Sequence, residues 1–390
     1  MGAGPAGMRA AEVIARRNLR VVILDQKASP GRKFLVAGRG GLNITHSEPI
    51  EDFVTRYDAP DLWARLLKRF SPDDVRKWFH ELGIETFVGT SGRVFPKGIR
   101  IPVVLEKWVE RLDQLGCDMR VGRRFHQMLG QRPFEIVFQC GSNYELISAD
   151  AVVLALGSAC WPQTGSDARW IEEFNRLGVR VNPFVPSNVG WERRWSKKFL
   201  DVAEGKPLKN LTISCNGRVV KGELMITKYG LEGGGLYQLT RDLRRSPEIE
   251  IDFRPSLSDG DLRAKWRTAT DKNLKQGIRR NWRLTDAVSA VIEEIVKPKT
   301  LEDWIHGVKH CRLTLDRPRP IEEAISCGGG VPWDELTPDL MLRAVPGAFC
   351  AGEMIDWDAP TGGYLLQGCL ATATVAGEGV VKWIAQHLEP

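Results

Sequence analysis

The sequence predicts an α/β fold: a Rossmann-like domain split by an inserted β-rich domain with a helical elaboration. Three observations carry that prediction. Residues 2–7 read Gly-Ala-Gly-Pro-Ala-Gly, the glycine spacing of a strand-to-helix turn that lies against phosphate. Asp25 ends an apolar run near the usual distance of about 20 residues beyond such a turn. Close to the other end of the chain, residues 347–353 form a strand running into a glycine–acid pair, which returns the chain to the first domain.

Each glycine of the turn has a mechanical task. Gly2 makes the tight bend, Gly4 lets backbone approach a pyrophosphate, and Gly7 lets the next helix pack closely on the sheet. The helix N-terminus adds free N–H groups and a positive dipole end. The spacing predicts that helix over 5–17, with Ala6, Ala10, Ala11, Ile14 and Ala15 as packing positions and Asn18 as its stop. Residues 19–24 then read as a buried strand. Asp25 at its end is placed to accept from a ribose 2′-hydroxyl and to repel a 2′-phosphate. Only Met1 precedes the turn, so the strand that should feed it is missing. The expectation is a natural chain that begins several residues earlier, with a short apolar run.

Residues 31–45 read as a long basic, glycine-rich loop, and loops of that length without a function are uncommon. Residues 60–82 read as two amphipathic helices starting at Asp61 and at Ser71-Pro72, and 102–115 as a third, ended by Gly116. The period then changes to two. Residues 123–129, 134–140 and 144–148 predict a three-stranded meander, followed by a continuously apolar strand over 151–156 that runs into Gly157. That order suits the larger dinucleotide domains that hold FAD.

Residues 187–257 lose the alternation of strand and helix. Short strands at 211–215 and 249–253 predict the β-rich insertion, within which 227–235 reads as a flexible loop. Residues 258–309 read as helical and basic, with Leu262, Trp266, Leu274, Ile278 and Trp282 on an apolar stripe. The expected boundaries are 1–186 with 335–390 for the dinucleotide domain and 187–334 for the insertion. Residues 361–368 open a helix of small residues, a second N-terminus suited to phosphate or to electron-rich flavin edge atoms.

The net charge of +6 over 390 residues mildly favours anionic ligands without indicating nucleic acid, and no apolar run approaches the roughly 18 residues of a membrane span. Eight cysteines are scattered without a C-x-x-C pair. That argues against a disulfide framework and against a redox-active dithiol beside a cofactor, and the expected compartment is the cytoplasm. Nothing in the sequence sets the oligomeric state.

Four segments together resemble the BaiN/YhiN-type flavoproteins, a family of FAD-dependent oxidoreductases. They are residues 2–7, residues 31–33 with 38–45, residues 154–157 with Trp161-Pro162-Gln163-Thr164-Gly165-Ser166, and residues 351–367 with Trp357-Asp358-Ala359-Pro360-Thr361-Gly362-Gly363-Tyr364 as the most specific motif. The resemblance implies an FAD domain of glutathione-reductase type. It places Gly2, Ala3, Gly4, Pro5, Ala6 and Gly7 at the pyrophosphate, Asp25 at the adenosine ribose, and Gln26 and Gly157 among the cofactor contacts. Arg32, Lys33, Gly40, Gly41 and Asn43 would line the flavin and its linker, and Phe125 would touch adenine through its backbone. Gly352, Glu353, Asp356, Gly363 and Gln367 would surround the ribityl chain and pyrimidine edge. One branch of the family is associated with double-bond reduction in bile acids.

A flavin carries hydride chemistry itself while the protein supplies position and electrostatics, so catalytic side chains leave a faint sequence signal. His46 is the one candidate acid singled out, with Tyr229 and Glu232 behind it. Cys160 reads as a packing residue near the Gly157 turn, and Asp356 and Asp358 as groups that orient backbone. His306 and His310 have the i, i+4 spacing of a metal pair but lack a third ligand. The function expected is reduction of a small unsaturated or carbonyl compound by hydride passed through FAD, with NADH or NADPH as a transient reductant. A flavin enzyme acting on RNA and a non-enzymatic flavin-binding module are the alternatives. The purified protein is expected to be yellow and to release FAD on denaturation; release of FMN alone would remove the adenosine role from Asp25.

Overall fold

A computed structural model describes residues 1–38, 41–131, 133–267 and 274–387. The chain forms two compact units, Met1–Val185 with Ser326–Pro390 and, between them in sequence, Pro186–Ile325. No helix among the described residues is long and apolar enough to cross a membrane.

The first unit opens with helix α1, Pro5–Ala15, which Pro5 starts at a position where its missing N–H costs nothing. Asn18 closes the helix region in the left-handed conformation (φ 60°), where asparagine is tolerated. Strand β1, Val22–Asp25, pairs in parallel with Asp118–Val121. A second parallel pair joins Val152–Leu154 to Ala348–Cys350. Met1 and Gly2 lie between these pairs: the Gly2 N–H donates to Leu24 O (2.7 Å), and the Ala155 N–H donates to Met1 O (2.9 Å). Beside them runs an apolar slot of about 420 Å³ lined by Ile14, Val22, Ile147, Val152 and Val153. The meander is antiparallel throughout, Arg124–Leu129 to Phe134–Cys140 to Asn143–Ala149.

Helices Pro60–Arg69, Pro72–Glu81 and Ile101–Gln114 cover this unit, the second begun by a Ser71/Asp74 capping box. Residues 31–45 depart from the expected loop, because Arg32–Ala37 is a helix, α2. Its glycines sit at the ends, Gly31 in the left-handed region (φ 64°) and Gly38 at the C-cap, leaving helix-forming residues between them. Phe34 anchors α2 edge-on to Trp108, with ring centroids 6.3 Å apart. Tertiary burial of that ring decides a segment whose composition alone reads as irregular.

The second unit is a six-stranded sheet in the order Trp191–Glu192, Gly230–Glu232, Arg218–Thr227, Pro207–Cys215, Glu248–Asp252, Cys311–Thr314. Every pairing in it is antiparallel. Leu262, Ile278 and Trp282 of the predicted stripe are buried among the helices, and Trp266 and Leu274 pack against them. Residues 227–235 are not the free loop expected. Gly230–Glu232 is a paired strand and Gly234–Tyr237 a short helix. A side chain at Gly230 would stand 2.0 Å from Trp191 O, so glycine serves strand contact there rather than mobility.

One buried acid organises α1. Glu12 has no exposed surface and accepts from Trp78 Nε1 (2.9 Å) and Arg16 Nη2 (2.8 Å), with Arg9 and Arg111 within 3.7 and 3.5 Å. It ties α1 to helices Pro72–Glu81 and Ile101–Gln114. Removing one partner of a buried charge network is strongly destabilising because it strands the others. Glu12→Ala is therefore expected to cost about 3–5 kcal/mol in urea unfolding, and a loss below about 1 kcal/mol, the worth of an exposed pair, would refute this role.

Candidate functional site

The glycine turn is fixed by atoms that can be named. Asp25 Oδ2 accepts the Ala3 N–H at 2.7 Å and Oδ1 accepts the Lys27 N–H at 2.8 Å. A Cβ at Gly7 would lie 1.7 Å from Gly2 O, so the helix is pressed onto the turn as closely as backbone permits. Gly4, the N-cap of α1, has extended backbone, and no side chain caps the helix. A Cβ at Gly4 would meet no protein atom within 4 Å. The first N–H groups of α1 therefore open onto a cleft, where the helix dipole favours negative charge.

The cleft takes in residues from distant parts of the first unit. Ala3, Gly4, Pro5 and Ala6 line it beside Asp25, Gln26, Arg32, Lys33, Phe125, Gly157, Gly352 and Glu353. Arg123, Arg124 and Arg169, which the sequence reading passed over, add positive charge to its walls. They stand in strand-flanking and loop positions where arginine carries no local signal. Gln26 crosses to the segment after strand Val152–Leu154, donating to Gly165 O (2.6 Å) while accepting from Arg124 Nε (3.1 Å).

Lys33 and Glu353 form an ion pair on the cleft wall. The Lys33 ammonium also lies 3.0 Å from Cys160 Sγ, and Ser158 Oγ approaches the same sulfur at 3.2 Å. Burial works against the Lys33 charge, yet Glu353 and Cys160 together hold its pKa above the usual lysine value. Cys327 and the Lys33 charge bring the Cys160 pKa down to about 6 against the opposing effect of burial. The Cys327 thiol moves the other way, pushed up by Cys160 and by burial.

Other residues singled out from the sequence stand elsewhere in the unit. Gly41 faces the ring of Phe95, and Gly40 lies outside the described residues. Asn43 has a buried Oδ1 with no hydrogen-bond partner. The Asp356 carboxylate accepts from Asn182 Nδ2 (2.7 Å) and the Gly329 N–H (2.9 Å). Gly363 packs on the Thr45 backbone, where a Cβ would come within 2.5 Å. Gln367, fully buried, accepts from Thr45 Oγ1 and donates to Phe70 O, each at 2.8 Å. His46 stacks on Tyr364; its Nδ1 accepts the Glu48 N–H (3.1 Å), so Nε2 carries the proton toward Ser91 O (2.9 Å). In the second unit the Tyr229 hydroxyl donates to Glu232, and Arg319 lies over the Tyr229 ring at 4.6 Å. His310 is engaged with Glu250 at 3.0 Å.

A glycine turn, an uncapped helix end and a strand-end acid opening on one cleft define a Rossmann-type FAD-binding domain. The HI0933-like protein Rossmann domain family matches residues 1–379, and the chain belongs to that family. It is similar to the 3-dehydro-bile acid delta(4,6)-reductase of Clostridium scindens, at 27% identity covering 98% of both chains. It is also similar to the ribosomal RNA dihydrouridine synthase of Escherichia coli, at 22% identity over 98% of this chain and 97% of that one. Among solved structures, the E. coli quinol fumarate reductase FrdA superposes with a TM-score of 0.54 at 14% identity, over 100% of this chain and 70% of that one. The 3-ketosteroid-delta4-(5alpha)-dehydrogenase of Rhodococcus jostii RHA1 gives 0.51 at 14% identity, over 97% and 95%.

The residues present fit a dinucleotide. The α1 N–H groups lack a cap, and Gly4 leaves room for phosphate. The two glycines of the turn should therefore fail differently. Gly4→Val should fold, melting with the flavin-free parent, and lose most bound FAD, whereas Gly7→Val should not accumulate as folded protein. Flavin absorbance per polypeptide and thermal melting check both, and full flavin occupancy in Gly4→Val would refute the assignment.

Proposed function

We propose that this protein is an FAD-dependent reductase that passes hydride from NADH or NADPH to a small conjugated enone or related carbonyl compound. The observation that carries the reading is the single cleft running from the open N-terminus of α1 to the Lys33–Glu353 pair. On this reading the N–H groups of Gly4, Ala6 and Gly7 hold the pyrophosphate. Asp25 retains lone pairs for a ribose hydroxyl after accepting from Ala3 and Lys27. Gln26 and the Phe125 backbone border the adenosine end. Arg32, Lys33 and Glu353 border the flavin end, where Lys33 presents a cation that favours electron-rich groups. FAD, when bound, supplies two-electron hydride chemistry. The name of the Clostridium scindens relative, a reductase of a bile acid, supports an unsaturated ketone as substrate class.

A second reading, modification of RNA, is favoured by one observation besides the names of two relatives. Residues 186–325 carry 27 Lys and Arg against 20 Asp and Glu, a net +7, which leaves −1 for the rest of a chain whose total is +6. The positive excess thus resides wholly in the inserted unit, as a phosphate-tracking surface requires.

Anaerobic titration separates these readings. NADH or NADPH should bleach the flavin, and a conjugated steroid enone should restore its colour without oxygen. RNA should be retained no better than by any weakly basic protein and released by moderate salt. Reoxidation by RNA containing unmodified uridine, but not by enones, would transfer the assignment to the second reading. A flavin that neither nucleotide reduces would remove the nicotinamide link.

A further inference from the structure

We propose that the inserted unit has a nucleotide-binding groove of its own, which takes a nucleoside monophosphate. The groove holds about 500 Å³, inside the range of small-molecule sites, and all its walls belong to residues 186–325. They are the start of strand Pro207–Cys215, the residues after strand Glu248–Asp252 and the first turn of helix Asp286–Ile295. Four cations line it: Lys206, Lys209, Arg254 and Arg283. None of these four side chains has a carboxylate or hydrogen-bond partner among the described residues, and Arg254 Nε is buried without an acceptor. Other cations of the unit are paired, Arg263 with Glu302, Lys309 with Asp252 and Arg319 with Glu192. Asp286, the one acid lining the groove, is held by Arg279. The positive charge of the groove is therefore uncompensated, and a buried donor without an acceptor is costly until one arrives from outside the chain.

Local structure explains how the cations come to stand there. Strand Pro207–Cys215 shifts register against Arg218–Thr227 between Leu208 and Leu211, so both leucines are buried while Lys209 and Asn210 between them stay exposed. Regular alternation would have put Asn210 on the buried face with Leu208, or Lys209 with Leu211. Arg283 takes a left-handed position after helix Leu274–Asn281 (φ 52°), where glycine is usual. Thr285 then caps only the Val288 N–H (3.2 Å), so the first N–H groups of helix Asp286–Ile295 add to the attraction for an anion.

The floor has the opposite character. Phe253, Leu284, Ala287 and Val288 line the groove and are buried. A ligand that satisfies rim and floor joins a dense anion to a flat, weakly polar body. A carboxylate brings one charge to four cations, whereas a phosphate monoester brings nearly two charges and three acceptor oxygens. A nucleoside monophosphate has both parts, its phosphate for the cations and the helix end and its base for the apolar floor. The groove is bounded, which suits one nucleotide rather than a strand whose phosphates need cations spaced along a surface.

The test is calorimetric titration of the full-length protein, purified with its flavin, with the four common ribonucleoside monophosphates, inorganic phosphate and a short single-stranded RNA. Flavin absorbance retained in the protein through each titration shows that the cofactor has not been displaced. At least one mononucleotide should bind once per chain, about tenfold more tightly than inorganic phosphate, which should compete with it. Lys209→Glu and Arg283→Glu, both at exposed positions, should each weaken that binding about tenfold or more. Lys228→Glu, the same charge change at an exposed position outside the groove, should leave it nearly unchanged. Absence of binding by all four mononucleotides at millimolar concentration would overturn the proposal. So would an equal loss in Lys228→Glu, which is the mark of net charge alone, or an inorganic phosphate affinity matching the nucleotides, which leaves the floor without a role. RNA bound about a hundredfold more tightly than any mononucleotide would give the groove to a polynucleotide instead.

Discussion

One carboxylate holds the dinucleotide turn in place. Asp25 takes an N–H from Ala3 on one oxygen and from Lys27 on the other, fastening the glycine turn to the end of β1 and shaping the chain that leaves it. Everything the cleft offers follows from that fastening. With Gly2 bound to Leu24 O and Gly7 pressed on Gly2, α1 has one possible direction, and its open N-terminus points where Gly4 leaves space. Asp25 thus has a structural duty that is complete before any ligand arrives. A substitution there would disturb the turn as well as any ribose contact, so loss of cofactor in such a variant would not by itself separate the two.

The opposite end of the cleft depends on a different balance. Lys33 and Glu353 come from α2 and from the segment after strand Ala348–Cys350, far apart in sequence. Partly buried charges are favourable only when paired and hydrogen-bonded, and here one ammonium serves a carboxylate and a sulfur together. The arrangement keeps a cation at the cleft wall without leaving it uncompensated. It also makes α2 necessary: as the flexible loop its glycines suggest, the segment would not fix Lys33 against these partners.

Much of this was legible in the sequence because it is local. The turn, the run to Asp25, the Ser71 helix start and the period-two meander each depend on neighbours within a few residues, and the structure places elements there. The misses are non-local. Helix α2 depends on Phe34 reaching Trp108, and Gly230 on the close approach of Trp191 O. The partners of Asp356, Asn182 and Gly329, are equally distant in sequence and left no local signal.

Two close approaches hold α1 in place: Ala6 meets Gly352, and Gly377 of helix Tyr364–His387 lies against Val13 and Ala10. Both partners are distant in sequence, so the loops they close are long and their contacts form slowly. The N-terminus of α1 gains its fixed aim only when these segments have docked, and binding of a dinucleotide reports completed folding rather than guiding its first steps.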